Sequence, residues 1–408
     1  MTSVLFLGAS VSQVAAIRRA RELGIRVVAV DGDPHALGFA DADIAENIDF
    51  SDIAGVVEIA ARHDVDGIVA ISTDRAVPVA AAVAEALNLP GIGFETARLM
   101  TNKAAMRQRL QEASIVQPAF AVLSSGDDLA GALESVGRPA VLKPIDSGGQ
   151  RGVFVVETPD QLRECWPVTL SYSRTGEAIL ERYIEGSELN GIAVVCGGEP
   201  HLLTLSDRLR PPGPGFGVGW AHLYPSTLPT VTLERVGDAA CAAIRALGLR
   251  DGIAFPQLLA TRDEVFVVEV AARIPAGQMA DLVRLGTGVD LVQIALLQAL
   301  GRPVADELRL PKFLHPLAIR FLTADPGVLP TGRVQSIGGL DAVRASPGVV
   351  EADLYLQLGE TINSVQVDAD RRGYIIAEAA DPEDALELAD QAARELKIEV
   401  ESRFAGAH

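Results

Sequence analysis

The chain has 408 residues, of which 49% are hydrophobic and 22% charged, with a formal net charge of −19. That length exceeds one ordinary core and points to two or three domains, and the composition is that of a globular chain, not a disordered one. The negative charge argues against a nucleic-acid backbone or an anionic membrane as the main partner.

The first residues, MTSVLFLGAS, are apolar but lack a basic lead, so they read as a strand and not as a secretion signal. The pattern then alternates. Residues 4–7 form a strand, 11–23 a helix closed by Gly24, 26–30 a strand, 53–62 a helix, 67–71 a strand, and 76–87 a helix stopped near Pro90. Alternation of this kind predicts a doubly wound parallel sheet over residues 1–95. Its first turn, Gly8-Ala9-Ser10-Val11-Ser12-Gln13, lacks the GxGxxG glycines, which disfavours a dinucleotide cofactor.

From Arg138 the texture changes. A strand at 139–143 leads into Asp146-Ser147-Gly148-Gly149-Gln150-Arg151-Gly152 and a second strand at 153–156, a glycine-rich hairpin and not a strand-to-helix phosphate loop. A further strand spans 178–184. Residues 254–260 and 265–271 make a hairpin around Thr261-Arg262-Asp263-Glu264, and a last α+β segment includes a helix at 382–396 and a strand at 398–400. Cys165, Cys196 and Cys241 are scattered, without CxxC spacing, so a zinc site or disulfide framework is not expected and a reducing cytoplasm is. No apolar run is long enough to predict a membrane span.

Only four lysines occur, Lys103, Lys143, Lys312 and Lys397, in a chain that otherwise uses arginine. Lys143 ends a strand just before the glycine-rich loop and Lys103 heads a helix; a compact ammonium at each suits phosphate oxygens. Glycines at 148, 149 and 152, with Ser147, let backbone N–H groups turn toward an anion. In Leu180-Glu181-Arg182-Tyr183-Ile184-Glu185-Gly186-Ser187-Glu188, the backbone beyond Glu181 can meet an adenine edge and Glu188 can accept from ribose hydroxyls. A hairpin turn centred on Asp263 sets Gln257 opposite Glu269, with Cβ atoms about 5 Å apart. Two oxygen-bearing side chains on otherwise apolar strands suit a hard cation, although they also suit each other. Arg273, beyond the strand end, can meet a phosphoryl or carboxylate group.

The order of these motifs resembles the ATP-grasp superfamily over nearly the whole chain: the helix at Asn102-Lys103, the segment PAVLKPIDSGGQRGV, the hinge ILERYIEGSEL and the hairpin ending EVAARIPAGQ. The resemblance implies a biotin-carboxylase-like three-part α/β architecture. Its parts are a pre-ATP-grasp domain at 1–95, an ATP-grasp domain of two α+β lobes at 96–311 with a mobile lid at about 117–182, and a C-terminal α+β subdomain at 312–408. It implies ATP and Mg²⁺ as cofactors, with Mn²⁺ as a substitute. Lys103, Lys143, Ser147, Gly148, Gly149 and Gly152 would act on the phosphates, Glu181, Arg182 and Ile184 at adenine, and Glu188 on ribose. Gln257 and Glu269 would hold the metal, and Arg273 would stabilise a phosphorylated intermediate.

Two positions depart from the pattern. Gln257 stands where most relatives carry an acidic residue, as in some carbamoyl-phosphate-forming members, and Ala271 stands where an asparagine is usual. Ser206-Asp207-Arg208, the Pro-Gly-rich 211–219, Trp220-Ala221-His222-Leu223-Tyr224-Pro225-Ser226 and residues 313–376 resemble the amino-acid ligase branch, in which His222 matches a substrate-site histidine. That branch implies an ADP-forming carboxylate–amine ligase, small-molecule carboxylate and amine substrates, and a homodimer. A bicarbonate-using carboxylase and a non-catalytic nucleotide binder stay open as alternatives.

Overall fold

The computed structural model describes residues 1–124, 128–211 and 217–401, so part of the Pro-Gly-rich segment lies outside the described residues. The chain divides into two units. The first comprises Met1–Pro118, Asn190–Thr204 and Glu234–Leu314, and the second Ala119–Leu189, Leu205–Leu233 and the described part of His315–His408.

In the first unit, strands Ile44–Asn47, Arg26–Asp31, Ser3–Leu7 and Gly67–Ala70 lie in that order, all parallel. Every residue of Ser3–Leu7 is buried, as a parallel strand covered on both faces requires. Helices Ile53–Arg62 and Ala76–Leu87 carry Val56, Ile59, Val79 and Val83 into the core with Leu5, Leu7, Val28 and Val30. Both occupy the residues predicted from periodicity, because their ends carry local signals. The Asp52 carboxylate accepts from the Gly55 N–H at 3.0 Å, and Asn88 closes the second helix at φ 53°. Helix Val11–Glu22 stops one residue before its predicted end. Ile71 leaves the strand and pairs in parallel with Ile274 in an isolated bridge.

The same unit contains the hairpin Gly252–Ala260 and Val265–Ala271. From the turn, Ala260 pairs with Val265, Leu259 with Phe266 and Leu258 with Val267. A register shift follows, Val268 faces no residue, and Gln257 then falls opposite Glu269. The expected juxtaposition is present, but not by the regular ladder that predicted it. Continued without the bulge, the ladder from the turn would put Gln257 opposite Val268 and turn Glu269 to the other face.

In the second unit, strands Phe120–Leu123, Ala178–Arg182, Ala140–Pro144 and Phe154–Val156 form an antiparallel sheet in that order. Helices Leu129–Val136 and Pro159–Ser171 cover it through Leu133, Val136 and Leu162, which meet Leu142 and Leu180. Thr158 and Gln161 cap the second helix reciprocally. Strand Ala178–Arg182 ends two residues before the predicted limit of 184. Strands Ala221–Tyr224, Leu317–Phe321, Gly373–Glu378 and Val349–Leu354 form a further antiparallel run, against which helix Pro382–Ala393 buries Ala385 and Ala389. Among the described residues, no helix is long and apolar enough to cross a membrane.

One close approach in the first unit is testable. A Cβ on Gly67 would lie 2.4 Å from the Ala299 carbonyl oxygen, a backbone atom that cannot swing aside. Gly67→Ala is expected to lower unfolding stability by about 1–3 kcal/mol, measured by urea denaturation. An unchanged midpoint would contradict the contact.

Candidate functional site

In the first unit, helix Lys103–Glu112 begins after Asn102, whose side chain accepts from the Ala105 N–H at 2.9 Å. The cap holds Lys103 at the first helical position, where the ammonium sits 3.2 Å from Glu269 Oε1. Glu269 and Gln257 are paired across the hairpin, so a carboxylate, an amide and an ammonium share one neighbourhood. Among the described residues no group of three His, Cys, Asp or Glu is arranged to hold a metal. The chain therefore offers two hard oxygen donors here. That set fits Mg²⁺, which takes one or two protein carboxylates or amides and completes its octahedron with water and phosphate.

Arg273 lies close by. Its Nε and Nη2 donate to the two carboxylate oxygens of Asp74 at 2.6 and 2.9 Å, a two-pronged grip that fixes the plane of the guanidinium. The third nitrogen, Nη1, is buried without a hydrogen-bond partner, a donor left over for an anionic oxygen. Burial pulls the guanidinium pKa down, but Asp74 and then Glu269 outweigh it and hold Arg273 above its ordinary value. Burial likewise lifts the Asp74 carboxyl, and Arg273 and Lys103 bring it below the usual carboxylate range. Asp74 was not singled out from the sequence. Its signal was its place just past the carboxyl end of a parallel strand, where α/β sheets gather functional groups.

In the second unit, Lys143 and Glu181 sit on neighbouring antiparallel strands, with Val141 opposite Glu181 and Lys143 opposite Ile179. This diagonal puts Lys143 Nζ 2.7 Å from Glu181 Oε2, with both side chains nearly buried at 9% and 5% exposure. The sequence assigned the two residues to different parts of a nucleotide; the fold makes them an ion pair. Gly149 and Gly152 take φ of 69°, and a Cβ on Gly152 would lie 3.0 Å from the Tyr172 ring, so the loop turns where only glycine is comfortable. Ser147 and Gly148 are half-buried beside them.

Arg182 is exposed, and its N–H donates to the Ala119 carbonyl at 2.8 Å, while the Tyr183 N–H donates to Pro139 at 2.9 Å. Those two donors are committed within the unit. Glu188 accepts from Arg208 at 2.5 Å and from Arg210 at 2.8 Å, partners that the sequence reading did not anticipate.

His222 is buried on strand Ala221–Tyr224, its ring edge-on to Phe321 at 5.6 Å. Arg371 stacks over the same Phe321 ring at 4.0 Å and donates to the Gly219 carbonyl at 2.6 Å. Burial first, then Arg371 and Arg208, push the His222 pKa well below 6.5, so the imidazole is uncharged.

Three family models match. The ATP-binding domain of the carbamoyl-phosphate synthase L chain covers residues 100–307, just over half of the chain, the ATP-grasp N-terminal domain covers 17–91, and the L-amino acid ligase C-terminal domain 2 covers 320–401. A formate-dependent phosphoribosylglycinamide formyltransferase of Burkholderia vietnamiensis is 28% identical over 416 residues, 96% of this chain and 94% of that one. Two solved structures share the fold. The L-amino acid ligase from Bacillus licheniformis has a TM-score of 0.84 at 22% identity, covering 98% of this chain and 99% of that one. The biotin carboxylase domain of Hydrogenobacter thermophilus 2-oxoglutarate carboxylase, solved as a dimer with MgADP, ADP and bicarbonate, has a TM-score of 0.75 at 18% identity, covering 98% and 92%.

The uncharged His222 makes a pH prediction. A histidine whose folded pKa is depressed takes up its proton on unfolding. Its contribution to stability is whole above 6.5 and is lost as pH falls through the window between that value and the lowered folded one. Urea denaturation at successive pH values below 6.5 is expected to show a decline that His222→Gln flattens. Parallel declines in both proteins would contradict the assignment.

Proposed function

Since the chain belongs to the ATP-grasp family defined by the ATP-binding domain of the carbamoyl-phosphate synthase L chain, we propose that it joins an amino-acid-like carboxylate to an amine. It is an ATP-dependent carbon–nitrogen ligase that releases ADP and phosphate. The observation that carries the substrate class is the L-amino acid ligase match at 320–401, the segment whose Arg371 helps to keep His222 uncharged.

The chemistry follows from the groups present. Lys143 and Lys103 donate to phosphate oxygens, exchanging their glutamate partners for the nucleotide, and the 147–152 loop turns backbone N–H groups toward the same anion. Glu181 and the backbone at Ile184 serve the adenine edge, with Arg182 flanking it, and Glu188 serves the ribose. Gln257 and Glu269 would hold Mg²⁺, or Mn²⁺ in its place, whose charge would offset that of the phosphates. The substrate carboxylate oxygen attacks the γ-phosphorus and ADP leaves. The amine then attacks the acyl carbon, loses a proton, and expels phosphate. Arg273, oriented by Asp74, directs Nη1 to the phosphorylated intermediate, a donor fixed before charge develops. Uncharged His222 can accept a hydrogen bond from the incoming amine.

The division into domains at 1–95, 96–311, with a lid at about 117–182, and 312–408 forms part of this reading, as do a cytoplasmic location and a homodimer. The boundaries are supported by the limits of the three family matches. Gln257, which replaces the usual acid as in carbamoyl-phosphate-forming members, favours one rival: bicarbonate as the carboxylate.

Purified protein with ATP, Mg²⁺ and pooled amino acids, with and without bicarbonate, separates the readings. Phosphate and ADP release that depends on amino acids and not on bicarbonate is expected, and a strict bicarbonate requirement would move the assignment to the carboxylase. Glu269→Ala is expected to abolish turnover, since it removes the carboxylate of the metal pair. Lys143→Ala should slow turnover and weaken ATP binding. Near-normal activity in either variant would show that its role is misassigned.

A further inference from the structure

The bulge that places Glu269 opposite Gln257 has its own support. Val268 faces no residue of the partner strand, and an extra residue in an antiparallel pair leaves backbone groups without ladder partners. In a buried setting these groups need hydrogen bonds from elsewhere. Arg107 supplies them. Its Nη1 donates to the Val267 carbonyl at 2.9 Å and its Nη2 to the Val268 carbonyl at 2.7 Å. The Val267 N–H donates to the Val116 carbonyl at 3.0 Å.

Arg107 is 1% exposed and is among the largest fully buried side chains. Gln117 seats it, accepting from Arg107 Nη1 at 3.2 Å and donating to the Arg107 carbonyl at 2.7 Å. Helix Lys103–Glu112 places Arg107 one turn after Lys103, so the two cations project from one face. Lys103 meets the Glu269 carboxylate while Arg107 grips the backbone just before it.

We infer that Arg107 is a positioning residue for the metal pair: it holds the bulge at Val268 and thereby sets the register in which the Glu269 carboxylate faces the Gln257 amide. The inference rests on the reading that these two side chains hold the metal. A flat guanidinium suits the task because it reaches two successive carbonyls at once, whereas an ammonium satisfies them less well. At 1% exposure, Arg107 itself is closed off from nucleotide and substrate.

The test is the gain in ATP affinity that metal confers, read by calorimetry with Mn²⁺ and again with EDTA, in wild type, Arg107→Met, Arg107→Lys and Glu269→Gln. Arg107→Met is expected to weaken metal-dependent ATP binding about tenfold or more while leaving metal-free binding within about twofold, the scale on which groups that orient a metal ligand act. Arg107→Lys should fall between Met and wild type. If Arg107→Met does not fold, a partial loss in Arg107→Lys supports the inference and a full metal-dependent gain overturns it. A full gain in Arg107→Met also overturns it, as does equal weakening with and without metal. Glu269→Gln separates the two levels. If it keeps the full gain, the metal assignment has failed. If it loses the gain while Arg107→Met keeps it, the positioning role alone has failed.

Discussion

Two ammonium–carboxylate pairs, one in each unit, are what the proposed chemistry depends on. A chain of net charge −19 must receive a polyanion, and it keeps its cations ready by pairing them. Lys103 is held against Glu269 and Lys143 against Glu181, each within the protein and mostly shielded from water. A buried ammonium without a partner would lose its proton or destabilise the fold, while a paired one persists. On the proposed reading, nucleotide and metal would enter by exchange: phosphate oxygens would replace a glutamate on the lysine, and a cation would replace a lysine on the glutamate. Such an arrangement suits chemistry that depends on positioning and neutralisation more than on a protein nucleophile.

Around Glu269 the protein invests in orientation. Asp74 fixes the Arg273 guanidinium through two of its nitrogens and leaves the third without a partner. Arg107 fixes the backbone next to Glu269. In the second unit, burial first, and then Arg371 and Arg208, lower the pKa of His222. Each of these arginines acts where a planar, permanently charged donor is needed.

Much of the fold was legible in the sequence because it rests on local signals. The helices Ile53–Arg62 and Ala76–Leu87 begin and end where capping and left-handed residues permit. Strand Ile44–Asn47 was not read: it is four residues long, lies at a sheet edge and is only half-buried in alternation, too weak a pattern to separate from a loop. The candidate site was legible as a set of residues and not as a set of partnerships. That Glu181 answers Lys143 depends on the register between two strands more than thirty residues apart, and that Glu188 answers Arg208 and Arg210 depends on another. The bulge at Val268 is the sharpest case. A regular ladder centred on Asp263 and a shifted ladder with one extra residue both put Gln257 opposite Glu269. The sequence reached the right neighbours without the device that makes them neighbours. Its trace was Arg107, a long cation one helical turn from Lys103 on a helix face that turns out to be buried.

The central claim is that a carboxylate is activated by transfer of the terminal phosphoryl group before an amine attacks. It is tested most directly by supplying amino acids enriched in ¹⁸O at their carboxylates and analysing the phosphate released during turnover by mass spectrometry. The account predicts that one carboxylate oxygen is carried into each phosphate formed and that ADP is the nucleotide product. Unlabelled phosphate, or AMP with pyrophosphate, would contradict it.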